Sequence, residues 1–246
     1  MFYDERLSMT ENRLHAPQHN GFHKNSLNGH AHHHHAALAE ETEELLHLTQ
    51  ADEKSDSEKI ETIAHHFGEI MQTLGLDLTD ESLKGTSHRV AKMFVQEAFM
   101  GLNPRNKPKA TVFPNDYGYK EMLVEKNITL YSYCEHHFVP IIGKAHVAYF
   151  PKAHVIGLSK INRLVKYYSK RPQVQERLTE QIANSLADIL KTDDVAVVIE
   201  ADHLCVASRG INDVNSSTFT ASYRGKFNKS KVRSEFLSHL NFKQLR

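Results

Sequence analysis

Cys134 and Cys205 are the two cysteines of the 246-residue chain, and histidines flank both, in Cys134-Glu135-His136-His137 and His203-Leu204-Cys205. Thiolate and imidazole suit zinc, and Cys134, His137 and Cys205 together offer three such ligands to one ion. Three protein ligands leave a fourth tetrahedral position for water, which marks a catalytic rather than a structural zinc. His136 and His203 then remain beside the metal for proton transfer, because imidazole titrates near neutral pH. Spacing alone leaves other readings open: a disulfide, two unrelated buried thiols, or a structural zinc completed by His203. Residues two apart on a strand point to one side, so His203 and Cys205 are expected to share a strand face, with Cys205 on the metal and His203 above it. Cys134 and His137, three apart at a turn, chelate compactly, and His136 is free to face a substrate.

Anion-binding chemistry would have to come from a local cluster. Lys plus Arg and Asp plus Glu both number 30, so the formal net charge is zero. That balance predicts neither general nucleic-acid affinity nor an acidic partner. Lys160 and Arg163 lie on one face of an expected helix whose first turn includes Ser159, and a helix N-terminus attracts anions through its free N–H groups. A solvated basic face is the plainer reading of the same residues. Gln175 and Glu176, taken by themselves, read as helix-surface positions.

No apolar run approaches the ~20 residues that a membrane span needs. The start of the chain, Met1 to Arg6, lacks a basic region followed by an apolar one, so it does not read as a signal peptide. Two cysteines with a metal role fit a reducing cytoplasm.

Residues 1–54 are expected to be a tail, since Asn, His, Gln and Ser dominate its first half and Glu40-Glu41-Thr42-Glu43-Glu44 adds a charge run. Such a composition buries too little apolar surface to offset the entropy of ordering. The His30–His35 tract binds metal adventitiously or is simply solvated, and Leu38–Leu48 is a candidate short helix.

The folded part opens with Ile60, Ile63, Ala64, Phe67, Ile70, Met71 and Leu74 at helical steps, capped by Ser57 and stopped by Gly75. A second helix is expected over 87–100, with Thr86 as its cap and Gly101 as its stop. After Pro104, Pro108 and Pro114 the period changes, and 123–133 and 144–150 read as strands. Helices are expected over 159–170 and 172–190, strands over 195–201 and 218–227, and a closing helix carrying Val232, Phe236 and Leu240. The chain divides into a tail (1–54), an N-terminal helical region (55–120) and a β-β-α-α-β-β domain (121–246), an α+β arrangement.

Four stretches then carry a resemblance: Ser132-Tyr-Cys-Glu-His-His-Phe-Val-Pro140, Val155-Ile-Gly-Leu-Ser-Lys-Ile-Asn-Arg163, Arg171-Pro-Gln-Val-Gln-Glu-Arg177 and Ser208-Arg-Gly-Ile211. In order and spacing they closely resemble GTP cyclohydrolase I, over about 58–240. Tyr133 stands where that family usually has Leu; Ser208 and Asn212 also depart locally. None of these replaces a ligand or a charged substrate contact.

The resemblance implies a zinc-dependent enzyme that opens the imidazole ring of GTP and yields 7,8-dihydroneopterin triphosphate and formate. It implies the tunnelling fold, an antiparallel four-stranded sheet with helices on one face. Sheets from several subunits join into a barrel, and two rings make a homodecamer. The exposed edges of a small sheet also argue for closed association. By resemblance, zinc sits on Cys134, His137 and Cys205, His203 is the acid at the imidazole ring, and His136 assists ribose opening. Arg89, Ser159, Lys160, Arg163 and Arg209 form a triphosphate cradle, and Gln175 is a substrate contact. Glu176 reads guanine, because a carboxylate accepts at once from N1–H and the exocyclic amine, a donor pair adenine lacks. Two rivals stay in view: a nucleotide-binding regulatory protein with a structural zinc, and another tunnelling-fold enzyme such as a nitrile reductase with a cysteine nucleophile. His136 and His203 speak against the first. The commitment of both cysteines as ligands speaks against the second.

Overall fold

The computed structural model describes residues 54–240; the expected tail, its histidine tract and the Leu38–Leu48 helix fall outside them. The first helix, α1 (Asp56–Thr73), begins two residues earlier than the sequence suggests. Ser55, not Ser57, is its cap: Ser55 Oγ accepts from Glu58 N–H at 3.3 Å, and Ser55 N–H donates to Glu58 Oε2 at 2.7 Å. This reciprocal capping box satisfies two donors that the helix start would otherwise leave unpaired. Gly75, at φ 83°, terminates the helix as expected. Ile60 and Met71 are buried, whereas Ile70 and Leu74 from the same apolar stripe are exposed.

The second helix is shorter than its periodicity predicts. The α-helical part, α2, spans Thr86–Met93 and follows Gly85, and the chain then loosens into a π-turn over Phe94–Ala98. It tightens again into a 3-10 turn over Met100–Leu102. Gly101 lies inside that turn rather than after a helix, because backbone packs directly against it. Its N–H donates to Lys170 O at 2.8 Å, and a Cβ there would stand 2.1 Å from Tyr167 O.

The remaining elements are β1 (Val112–Pro114), β2 (Leu123–Cys134), β3 (Pro140–Tyr149), β4 (His154–Ile156), α3 (Leu158–Ser169), β5 (Pro172–Gln173), α4 (Gln175–Leu190), β6 (Val195–His203), α5 (Leu204–Ala207), β7 (Thr218–Tyr223) and α6 (Ser230–Leu240). Five strands form one sheet in the order β5-β2-β3-β6-β7, and β1 pairs separately with β4. The four long strands pair antiparallel with one another and follow the expected β-β-α-α-β-β order, an α+β architecture. The expected 172–190 helix begins only at Gln175, since Pro172 and Gln173 pair in parallel with Tyr133 and Cys134. The last strand likewise stops at Tyr223, and Gly225–Asn228 is a 3-10 turn.

One face of the sheet packs on α3 and α4. Leu130, Ile141, Ala145, Val147, Val197 and Ile199 meet Ile161, Leu164, Leu178, Ile182 and Leu186 there. Each fully buried large aliphatic side chain contributes roughly 1.5–3 kcal/mol. The opposite face carries Ala148, Ala196 and Val198 under Phe227, Phe236 and Leu240. Strand β6 is therefore covered on both faces, which explains its unbroken apolar run.

Candidate active site

Strand β2 ends at Cys134, and the turn into β3 carries the two adjacent histidines. Cys134 N–H donates to Val139 O at 2.9 Å, and Phe138 N–H donates to Cys134 O at 2.8 Å. Phe138 adopts φ 52° to close the turn. Its ring lies 5.1 Å from that of Phe99, which in turn stands 5.3 Å from Tyr133. The N-terminal helical region thus braces the turn through aromatic contacts.

Cys205 arrives from 71 residues farther along the chain, delivered by register. Strand β3 lies between β2 and β6, with Tyr133 paired to Pro140 and Ile141 to His203. The expectation that His203 and Cys205 share a strand face is overturned. His203 is the last residue of β6, and Cys205 sits in the short helix α5. The helical turn brings the thiol to the cluster by a route that strand alternation does not describe.

Cys134, His137 and Cys205 offer ligand atoms that all lie within 4.8 Å of one another, and both cysteines are free thiols. Cys134 Sγ is 3.7 Å from His137 Nδ1. Tetrahedral zinc with ordinary Zn–S and Zn–N bonds holds such a pair about 3.6 Å apart. Burial pushes the Cys205 thiol up, and hydrogen bonding with Cys134 pushes it the same way, while Arg209 opposes both. Two thiols crowded in a poorly solvated spot are a donor set that a cation relieves. The residues present therefore fit zinc. A second trio among the described residues, His65, His66 and Glu69, is exposed on α1 and consists of surface pairs at 3.6 and 3.1 Å.

The groups around the cluster are ordered. Arg209 donates to His137 Nε2 at 2.9 Å, placing a cation at its rim. Cys134 Sγ is also 3.7 Å from His136 Nδ1, and the His136 side chain is largely exposed. His203 Nε2 is 2.8 Å from Gln175 Oε1. Burial pulls the His203 pKa below the ordinary histidine value, against the pull of the Glu176 and Asp202 carboxylates. Glu176, exposed in the first turn of α4, thus stands near His203. Gln175 is 2 % exposed, and its side-chain atoms are engaged inside the protein.

Two residues that spacing arguments passed over anchor the turn. Arg177 pairs with Glu135, and its Nε donates to Gln173 Oε1 at 3.1 Å. Glu135 N–H donates to Gln173 O at 3.1 Å, and Glu135 Oε1 is 3.8 Å from His136 Nε2. A carboxylate between metal-ligand candidates was a visible signal, but its partner lies 42 residues away, beyond any local pattern.

The residues expected to hold the triphosphate are not all gathered at the cluster. Arg89 is exposed on α2, where its guanidinium donates to Lys84 O at 3.0 Å and Thr86 Oγ1 at 2.6 Å. Ser159, Lys160 and Arg163 occupy the first turns of α3, where neighbouring Asn162 donates to Glu125 Oε1 at 3.1 Å. Glu125 is nine residues down β2 from Cys134, roughly 25–30 Å along the strand. One chain thus joins Cys134, His136, His137, Gln175, Glu176, His203, Cys205 and Arg209, and holds Ser159, Lys160 and Arg163 at the other end of its sheet.

The family model for GTP cyclohydrolase I matches residues 63–241. GTP cyclohydrolase 1 of Flavobacterium johnsoniae is 61% identical over 186 residues, covering 76% of this chain and 83% of that protein. The enzyme of the same name from Haemophilus influenzae is 52% identical over 186 residues, covering 75% and 85% of the two chains. That of Vibrio parahaemolyticus is 52% identical over 187 residues, covering 76% and 86%. The matched region contains the Cys-His-Cys cluster, the α4 residues beside it and the whole sheet that aligns them. On this agreement of sequence and site, the chain belongs to the GTP cyclohydrolase I family.

Proposed function

We infer that this chain hydrolyses GTP at the guanine imidazole ring and rearranges it to 7,8-dihydroneopterin triphosphate with release of formate, an entry step to tetrahydrofolate and other pterins. Family membership supports the reaction. The observation that carries it in this chain is the thiol–imidazole–thiol cluster, with His203 held at its edge by Gln175. Zinc on Cys134, His137 and Cys205 supplies Lewis acidity, which brings the pKa of water to around 7.

The chain's own residues do the rest. His203 donates a proton to guanine N7 as water adds at C8, since that nitrogen gains electron density in the addition. His136, exposed on the turn, serves the later opening of the ribose. Glu176 accepts from guanine N1–H and the 2-amino group, two parallel bonds that select guanine over adenine. Arg209 at the cluster rim, together with Arg89, Ser159, Lys160 and Arg163, neutralises the triphosphate.

The 25–30 Å gap estimated above from strand rise supports a site shared between protomers, each supplying the cations of its neighbour's cluster. The sheet favours the same arrangement. Strand β7 has a single strand neighbour, and β2 pairs on its outer side only through its last two residues. Open edges at both ends are satisfied when sheets join into a closed barrel, and a pair of such rings gives a decamer. The ligand thiols suit a reducing cytoplasm; among the described residues no helix is long and apolar enough to cross a membrane.

The test is direct. Zinc-replete protein incubated with GTP should release one formate per GTP and yield, after oxidation, a fluorescent pterin triphosphate. Light scattering on the same preparation should give a closed oligomer. Formate release from a stable monomer would refute the shared site, and absence of formate would refute the reaction.

A further inference from the structure

Gln175 was expected to touch substrate, but its side chain is spent within the protein. Nε2 lies 3.1 Å from Ile199 O, 2.9 Å from Thr218 O and 3.1 Å from Thr220 Oγ1. Peptide carbonyls only accept, so the amide nitrogen must face them and Oε1 must face His203, at 2.8 Å from Nε2.

The hydroxyls nearby remove the flipped alternative. Thr179 Oγ1 donates to Gln175 O at 2.8 Å, which uses its only proton. The 2.7 Å contact between Thr179 and Thr220 is therefore donated by Thr220. Thr220 Oγ1 keeps its lone pairs for Gln175 Nε2. The two amide protons are shared among three acceptors, and reversing the amide would set its oxygen against two carbonyls that cannot donate. In a buried network each such mismatch carries the full cost of an unpaired polar group.

We propose that Gln175 is a positioning residue, which fixes His203 as an Nε2–H donor and leaves Nδ1 as the atom that exchanges the catalytic proton. The inference rests on the role given to His203 above. Addition of water across C8 and N7 requires one proton at N7 and releases one from the attacking oxygen. With Nε2–H bonded to Gln175, Nδ1 carries a lone pair, which takes the proton lost by the attacking water and passes it to N7, so the ring ends as it began. The Nε2–H bond to Gln175 persists in both states, so the ring need not rotate between giving and taking. A neutral amide does this without adding a charge beside the cluster.

The test compares Gln175→Met, which keeps the volume and removes the acceptor, with His203→Ala and the double variant. Gln175→Met should keep one zinc per protomer and bind GTP within threefold of the parent, yet lose kcat by about 10–100-fold, the usual cost of removing an orienting partner. The double variant should be no slower than His203→Ala alone, since a residue that acts through another adds nothing once that one is gone. A double variant slowed by the further full factor would overturn the proposal. So would tenfold weaker GTP binding with kcat retained, which would make Gln175 a guanine contact. If Gln175→Met fails to assemble, Thr220→Val removes one of the three acceptors that hold the amide. A smaller kcat loss, absent in the His203→Ala background, supports the proposal; no loss, or the same loss in both backgrounds, overturns it. Full turnover by His203→Ala would instead overturn the role of His203 itself.

Discussion

Replacing Arg177 by Met should loosen the metal cluster without touching a ligand. The guanidinium is 15 % exposed and pairs with Glu135, which is 31 % exposed and adjoins Cys134. Arg177 also donates to Gln173 Oε1 at 3.1 Å and to Pro172 O at 3.3 Å. Breaking a fully buried pair costs about 3–5 kcal/mol; Glu135 keeps some access to water, so about 2 kcal/mol is the better figure here. If that cost falls on the geometry of the 134–137 turn, 2 kcal/mol corresponds to roughly 30-fold in zinc affinity, at about 1.4 kcal/mol per tenfold. The figure agrees with the ~10–100-fold seen when outer-shell partners of a metal ligand are removed. Chelator competition at pH 7.5 measures it directly. At saturating zinc, kcat should recover to within several-fold, and Arg177→Lys should sit between parent and Met. Unchanged zinc affinity in Arg177→Met would refute the view that the α4 charge organises the turn.

Four further outcomes are expected. Cys205→Ser should lose most bound zinc and nearly all turnover, because two remaining protein ligands hold zinc poorly; full occupancy by metal analysis would make Cys205 a mere core thiol. Glu176→Gln should keep zinc but lose several kcal/mol of GTP binding, up to ~10⁴-fold, by setting a donor against the donor edge of guanine; a near-normal KM would exclude it as the guanine reader. His146 is buried and held down at about 4, by burial first and then by Lys144 and Lys126, so its neutral form is favoured on folding. That contribution, about 2 kcal/mol after allowance for solvent screening, is complete above pH ~6.5 and lost as pH falls toward 4; the parent should therefore lose denaturant resistance faster than His146→Asn over that interval, and equal slopes would contradict it. Gly101→Ala should detach the N-terminal helical region from α3, since its Cβ would lie 2.8 Å from Lys170 O and closer still to Tyr167 O; limited proteolysis that leaves 54–102 as protected as in the parent would show that the backbone gives way.

Local chemistry was legible in the sequence where its parts are near one another. Cys134 and His137 announce a chelating turn by spacing, and the apolar steps of α1, α3 and α4 follow from helical period, so element types and the β-β-α-α-β-β order could be read directly. The element limits were harder. Ser57 resembled a cap as well as Ser55 does, and only the reciprocal bonds to Glu58 distinguish them. Gly101 looked like a helix stop, whereas its real constraint is the backbone of α3 lying against it.

What the tertiary structure decided is which distant groups share a few ångströms. Cys205 joins Cys134 because β3 pairs on one side with β2 and on the other with β6, a register that no local pattern encodes. The strand-face argument for His203 and Cys205 failed because the chain turns helical between them, and α5 sets the thiol's direction instead. Gln175 could not be told from a surface glutamine by sequence. Its role depends on carbonyls from β6 and β7, which fix the amide and through it the ring of His203. The proximity of Cys134 and His137 at one turn follows from residue type and spacing, and so it lies in the sequence. Proton placement depends on long-range pairing of backbone groups, and so only the fold decides it.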